Sequence, residues 1–289
     1  ERSRVRSAFS HYIAAPLVEE LARNHDRLKL GGEIREVTLL FADVRGFTGI
    51  AEGLSAEELI AFLNRLFTPL SEIILEERGT IDKFIGDAVM AFWNAPLTDL
   101  AHAANACRAA LRMQEQLAQM NRLWAAEAAA AGKQARGVAL GIGLNTGECC
   151  VGNVGSPQRF DYSILGDVVN IAARLEGETK TYGVPIITGE RTRISAEGFA
   201  FLELGTVKVR GREHAERIYA LIGDEATANL AEFTALAASH TKLLSVLAAG
   251  DRNAAVAALS DCRRLGGARF AALYDCYAAR LDSSASAIV

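Results

Sequence analysis

At 289 residues the chain is long enough to bury a full core, as one large domain or as a domain with appendages. Half of it is hydrophobic, 23% is charged and the net charge is −4, which excludes a disordered chain and a polybasic nucleic-acid binder. No apolar run reaches the roughly 18 residues that cross a bilayer and no charged-then-apolar leader opens the chain, so it reads as soluble.

The chain begins Glu1-Arg2-Ser3-Arg4 and its first Met is Met90, the pattern expected of a piece excised from something longer. Val5, Phe9, Ile13, Leu17 and Leu21 form one stripe of a helix over residues 3–22. Arg2, Arg4 and Arg6 at its start suit either a segment just inside a membrane or a solvated helix face. After a Gly31-Gly32 break, Val37 to Asp43 (VTLLFAD) has the length and composition of a strand, followed by Arg45-Gly46-Phe47-Thr48 as a loop. Ser55 and Glu58 form a capping box that opens a helix with apolar Leu59, Leu63, Leu66, Leu70 and Ile73. Pro69 should kink that helix or start a second one, and Gly79 should stop it.

Residues 79–92 (GTIDKFIGDAVMAF) read as two short strands pinched at Gly86-Asp87, because glycine at the first central position suits a two-residue hairpin turn. Asp43 and Asp87 thus end strands that lie side by side. Two carboxylates aimed at one spot need compensation, from a divalent cation or an ion pair. An Ala-rich helix follows from about Leu100 to Ala130. Val138 to Leu144 is read as a strand that turns at Asn145-Thr146-Gly147 into Cys149 to Val154, a second hairpin. Phe160 to Leu165 is a further strand, and Gly166-Asp167 leads into a helix that carries Asn170 and Arg174 on one face, with Asp167 as its cap. Short strands are expected at Val184 to Thr188, Phe199 to Leu204, Thr206 to Val209 and Arg217 to Leu221, then a helical hairpin from Ala226 broken at Gly250-Asp251 and Gly266-Gly267. The fold class is α+β, a ferredoxin-like βαββαβ core with extra strands and helices and a C-terminal helical extension. Five cysteines without metal-type spacing point to a reduced, cytosolic setting, although the adjacent Cys149-Cys150 pair could oxidise.

Five ordered blocks, FADVRGFT (41–48), DKFIGDAVMAFW (82–93), GIGLNTG (141–147), VGNVGS (151–156) and LGDVVNIAARLE (165–176), together resemble the catalytic domain of class III nucleotidyl cyclases, over roughly residues 35–222. The leading segment is similar to that of bacterial members in which the domain follows membrane spans and a sensor. The resemblance implies an adenylate cyclase that converts ATP to cyclic AMP and pyrophosphate with two divalent cations, Mg²⁺ or Mn²⁺, as a homodimer and without nucleic acid. It implies a linker at 1–33, a catalytic domain at 34–222 and an extension at 223–289. It also implies a cytoplasmic catalytic domain tethered in the full-length protein to the inner face of the membrane.

By the same resemblance Asp43, Asp87 and the Val44 carbonyl hold metal. Asn170 orients the ribose, Arg174 stabilises charge on the α-phosphate, and Lys83 with Ser163 reads the base. Arg212 in the turn Val209-Arg210-Gly211-Arg212 holds the terminal phosphates. Each site takes Asp43 and Asp87 from one chain and Lys83, Ser163, Asn170 and Arg174 from the other. Ser163 departs from the Asp of mammalian membrane cyclases; a hydroxyl both accepts and donates, so adenine selectivity is expected to survive in a looser form. The competing readings are a guanylate cyclase, against which Lys83 speaks, and a catalytically silent sensor or dimerisation module.

Overall fold

The computed structural model describes residues 31–134, 137–156, 158–208 and 215–286. The helix expected over 3–22 and the turn bearing Arg210 and Arg212 lie outside these residues.

The first strand, β1 (Gly31–Val44), begins at the two glycines rather than after them. Gly32 and Gly152 face each other across β1 and the fourth strand, where a Cβ on Gly152 would meet the Gly31 carbonyl oxygen at 2.1 Å. The glycines allow close strand contact instead of marking a break. Arg45-Gly46 turns into a short helix, α1 (Phe47–Ala51), where a loop was expected.

Helix α2 (Ala56–Glu76) starts with the expected capping box, the Ser55 N–H donating to Glu58 Oε2 at 2.8 Å and the Glu58 N–H to Ser55 Oγ at 3.2 Å. It runs through Pro69 as one element, contrary to the expected break. Leu66, Leu70, Ile73 and Ile74 are buried on both sides of the proline, and that shared face outweighs the lost backbone bond. The left-handed residue that ends the helix is Arg78, φ 66°. Gly79 serves a different purpose, since a Cβ there would lie 2.8 Å from the Trp93 ring.

Strands β2 (Thr80–Ile85) and β3 (Ala88–Trp93) pair with Ile85 opposite Ala88, so Gly86 (φ 63°) and Asp87 form the two-residue turn read from the sequence. Helix α3 (His102–Ala130) follows. Strand β4 (Leu140–Ser156) is continuous through Asn145-Thr146-Gly147, which corrects the expected turn there. Asn145 and Thr146 stay in register with Leu39 and Thr38. Their polar groups are used inside: Asn145 Nδ2 donates to the Val168 carbonyl at 3.3 Å, and Thr146 Oγ1 bonds the hydroxyls of Thr38 and Thr192. The hairpin comes later, between β4 and β5 (Arg159–Leu165).

Helix α4 (Asp167–Tyr182) is capped by Gly166 without a side-chain bond, so Asp167 is its first residue and not its cap. Strand β6 (Ile186–Gly189), a short helix α5 (Glu190–Ser195) that the sequence reading lacked, β7 (Ala200–Lys208) and β8 (Ala215–Gly223) complete the sheet. The two strands expected at 199–209 are one, with a register shift between Glu203 and Gly205. After α6 (Glu225–Ala228) come α7 (Ala231–Ala248), α8 (Arg252–Gly266), a 3₁₀ turn at Gly267–Phe270 and α9 (Ala271–Ser286), three long helices where a helical pair was expected.

The sheet order is β2-β3-β1-β4-β6-β8-β7, with β5 pairing to β4. Among the described strands only β4 and β6 run parallel. Its first four strands with α2 and α3 form the βαββαβ core. Alternation along β1 sends Leu40, Ala42 and Val44 to the core under α2 and α3, and Val37 and Leu39 to the face with Val151 and Val168. A third cluster joins β6 to β8, α4 and the C-terminal helices. All five cysteines are free; Cys149 and Cys150 alternate along β4, opposite Arg35 and Ile34, and so point to opposite faces and cannot bridge.

Candidate active site

Asp43 stands at the end of β1 and Asp87 in the β2–β3 turn, and the structure brings them into contact. Burial, then the charge of Asp43 and a hydrogen bond with it, push the Asp87 carboxyl up to about 6, while the Asp87 and Val44 backbone N–H groups pull it down. Below about pH 6 a proton therefore bridges this pair, and above it the two charges repel unless a cation neutralises them.

A third carboxylate lies behind them. Gly141 is opposite Asp43 on β4, and a Cβ on it would meet Glu176 Oε1 at 2.3 Å. Burial first, then Asp43, raise the Glu176 pKa, while Lys180 and Arg45 lower it. Glu176 Oε1 and Arg45 Nε are both buried without a hydrogen-bond partner, although Arg45 Nη2 donates to the Val184 carbonyl at 2.6 Å. This corner has excess negative charge and oxygen donors, which suits a hard divalent cation. No cage of three or more His, Cys, Asp or Glu forms among the described residues. Two carboxylates and a backbone carbonyl fit an ion that keeps water and substrate oxygens in its shell.

The second cluster lies between β2 and β5. Lys83 Nζ is 3.5 Å from Ser163 Oγ and 3.8 Å from Asp82 Oδ1. Ser163 Oγ donates to Asp82 Oδ2 at 3.0 Å. Lys83 thus also forms an ion pair with Asp82. Asp82 adjoins Lys83 in sequence, but its bond to Ser163 was missed by sequence reasoning, because it depends on the β2–β3 register shift between Ile81 and Lys83.

The third group sits on α4. Val168, Ile171, Ala172 and Leu175 face the sheet, which leaves Asn170 and Arg174 exposed together, one turn apart. Arg174 Nε pairs with Glu178 Oε1 at 4.0 Å. Gly143 lets this helix sit directly on β4, since a Cβ there would meet the Ala172 carbonyl oxygen at 2.1 Å. Within one chain no described hydrogen bond or ion pair links Asn170 or Arg174 to Asp43 or Asp87.

The adenylate and guanylate cyclase catalytic domain model matches residues 32–223. The chain belongs to this family. Cyclase domains of the family bind nucleotide, act as dimers and use divalent metal. The chain is 40% identical to adenylate cyclase 1 of Rhizobium meliloti over 199 residues, 68% of this chain and 29% of that one. It is 33% identical to the adenylate cyclase of Anabaena cylindrica over 218 residues, 73% of this chain and 42% of that one. It thus spans less than half the length of either curated relative. Among solved structures, the adenylyl cyclase CyaB from P. aeruginosa superposes with TM-score 0.61 at 31% identity, over 68% of this chain and 97% of that chain. The guanylyl cyclase Cya2 superposes with TM-score 0.60 at 33% identity, over 70% and 98%. The cyclase match covers the whole sheet and ends before α7, and no described helix is long and apolar enough to cross a membrane.

Proposed function

We propose that the chain is an adenylate cyclase that converts ATP to 3′,5′-cyclic AMP and pyrophosphate. The ribose 3′ oxygen attacks the α-phosphorus as the bond to the pyrophosphate oxygen breaks. One observation carries the choice of nucleotide: a lysine, Lys83, stands 3.5 Å from Ser163, and this reading assigns base recognition to the two. Lys83 donates to the adenine ring nitrogen that carries no hydrogen, and Ser163 meets the exocyclic amine. Asp43, Asp87 and the Val44 carbonyl hold Mg²⁺ or Mn²⁺, in two ions per site. Bound there, the cations supply positive charge to the reacting oxygens. Asn170 orients the ribose, Arg174 faces the charge that develops on the α-phosphate, and Arg212 holds the terminal phosphates.

Asn170 and Arg174 are exposed and no described bond ties them to Asp43 or Asp87 within one chain, which supports a site completed by a second copy in a head-to-tail homodimer. In this reading residues 34–222 form the catalytic domain, residues 1–33 pass on a signal, and residues 223–289 extend the fold. The full-length protein is tethered at the inner face of the membrane through segments upstream of this chain.

The likeness to guanylyl cyclase Cya2 favours GTP as the second reading. Incubation with ATP or GTP in Mg²⁺ and in Mn²⁺, with cyclic products separated by chromatography, decides. Cyclic AMP should exceed cyclic GMP by at least tenfold at equal substrate. Cyclic GMP in excess would establish the second reading, and neither product would mark a silent module.

A further inference from the structure

The base-reading pair raises a chemical ambiguity: a serine hydroxyl donates as readily as it accepts, so Ser163 by itself tolerates an amine or a carbonyl. The structure removes that freedom. The extra residue in β2 carries Asp82 to the side of Ser163, where its side chain is only 1% exposed. A carboxylate has no hydrogen to give, so the 3.0 Å contact between Ser163 Oγ and Asp82 Oδ2 uses the one hydroxyl proton of Ser163. Lys83, charged and 47% exposed, offers its protons from the other side at 3.5 Å. Burial pushes the Asp82 carboxyl up, while Lys83 and the Ser163 bond pull it back down. Asp161 is the other charged group that acts on it.

We propose that Asp82 fixes the Ser163 hydroxyl as an acceptor and is thereby a specificity-determining positioning residue for adenine over guanine. The inference rests on Lys83 and Ser163 being the base-reading pair. With the proton committed to Asp82, the pocket presents one acceptor, Ser163 Oγ, beside one donor, Lys83 Nζ. Adenine offers the complement, an amine next to a bare ring nitrogen. Guanine offers a carbonyl next to a ring N–H, so its oxygen meets the lone pairs of Ser163 and its N–H meets the ammonium. Both contacts are repulsive, and the discrimination comes from mismatched polar groups as much as from matched ones. Serine then serves here like the carboxylate that other cyclases place at this position, because a carboxylate lies directly behind it.

The first test varies the ligand and leaves the protein intact. N6-methyl-ATP and 6-methoxypurine riboside triphosphate have nearly the same shape and the same bare ring nitrogen, but one presents N–H and the other an ether oxygen to Ser163. Each is competed against a fluorescent ATP analogue on the full-length wild-type chain. N6-methyl-ATP should bind at least tenfold tighter, whereas equal binding would mean that Ser163 turns to donate and would overturn the proposal. The second test is Asp82→Asn, whose amide can donate to Ser163 and free its proton toward the base. The ATP-to-GTP ratio of kcat/KM should fall at least tenfold, and adding Asp82→Asn to Ser163→Ala should change the ratio less than twofold. A merely structural role would lower both nucleotides equally and leave the ratio unchanged, which also overturns the proposal. If the wild type binds nucleotide but forms no cyclic product, the catalytic reading fails while the binding comparison still decides the role of Asp82.

Discussion

The nucleotide end of the sheet and its far edge under the C-terminal helices treat buried polar groups in opposite ways. Around Asp43 and Lys83, Arg45 Nε, Asp82 Oδ1 and Glu176 Oε1 are buried without a hydrogen-bond partner. At the far edge His240 is 1% exposed, yet its Nε2 bonds the Glu203 carbonyl at 2.6 Å and its Nδ1 lies 3.4 Å from the Tyr274 hydroxyl. Tyr277 donates to the Leu204 carbonyl at 3.0 Å, and Cys262 bonds Ser239 Oγ. No buried side chain described in α7, α8 or α9 lacks a partner. Asn145 Oδ1, inside the sheet on β4, also lacks one, but the three at the nucleotide end stand where a ligand is expected to supply the missing half, and the helices that only need to dock have their buried groups met.

The largest expected effect is at the first region. Asp43→Asn should lower turnover on the order of 10³-fold by removing a metal oxygen charge. The same variant should melt at a higher temperature than wild type in metal-free buffer at pH 8, since it ends the repulsion that Asp87 now suffers. A lower melting temperature would show that the pair is structural and would erase the contrast between the regions.

Next in size is complementation. Asp43→Ala and Arg174→Ala homodimers should each be inactive, whereas mixed dimers hold both lesions in one site and leave the other intact. With free exchange, about half the dimers are mixed, so activity should return to roughly a quarter of wild type. Confirmed exchange without recovery would place the whole site within one chain.

The pH dependence should have opposite signs in the two regions. Asp87 binds its proton more tightly folded than unfolded, because burial and Asp43 raise it to about 6. Its contribution to stability is therefore present below the ordinary carboxylate pKa of about 3.9 and is lost as pH rises through about 6. Burial lowers the His240 pKa, so that group stabilises above the ordinary histidine value of about 6.5 and loses the contribution as pH falls below it. Thermal melts at pH 5.5 and 8 should show that Mg²⁺ stabilises more at pH 8. His240→Phe should flatten the acid side alone. Equal Mg²⁺ shifts at both pH values would break the assignment of the cation to the Asp43–Asp87 pair.

The smallest effect belongs to the docking side. Tyr277→Phe removes one buried hydrogen bond and should cost about 1–2 kcal/mol by denaturant melt, with activity per folded molecule unchanged. Loss of activity at constant fold would tie the C-terminal helices to the site.

Much of the nucleotide end was legible because its signals are local. The Gly86-Asp87 turn, the capping box at Ser55 and Glu58, and the one-turn spacing of Asn170 and Arg174 each depend on a few neighbouring residues. What the sequence hid depends on partners far along the chain. Asn145 and Thr146 look like a turn until Val168 is found to take the Asn145 amide N–H and Thr38 and Thr192 the Thr146 hydroxyl inside the sheet. Pro69 looks like a break until the face it shares is seen to be buried. Asp82 and Glu176 lie within blocks that carry the resemblance, but the bulge that sets Asp82 against Ser163 and the bare Gly141 that sets Glu176 near Asp43 are features of three-dimensional packing.

The bare surface of β4 under α4 has a mechanical consequence. At Gly143 the helix backbone touches the strand backbone with no side chain between them, so there is no soft layer in which the two could slide. The strand beneath is paired to β1 along its length, including Asp43 opposite Gly141. Asn170, Arg174 and Asp43 of one chain are thus fixed points on a single stiff plate. An upstream signal cannot tune catalysis by bending such a plate. Under the proposed homodimer it would have to change how two plates meet, which would make the spacing and rotation between copies the adjustable quantity and the interior of each copy its fixed scale.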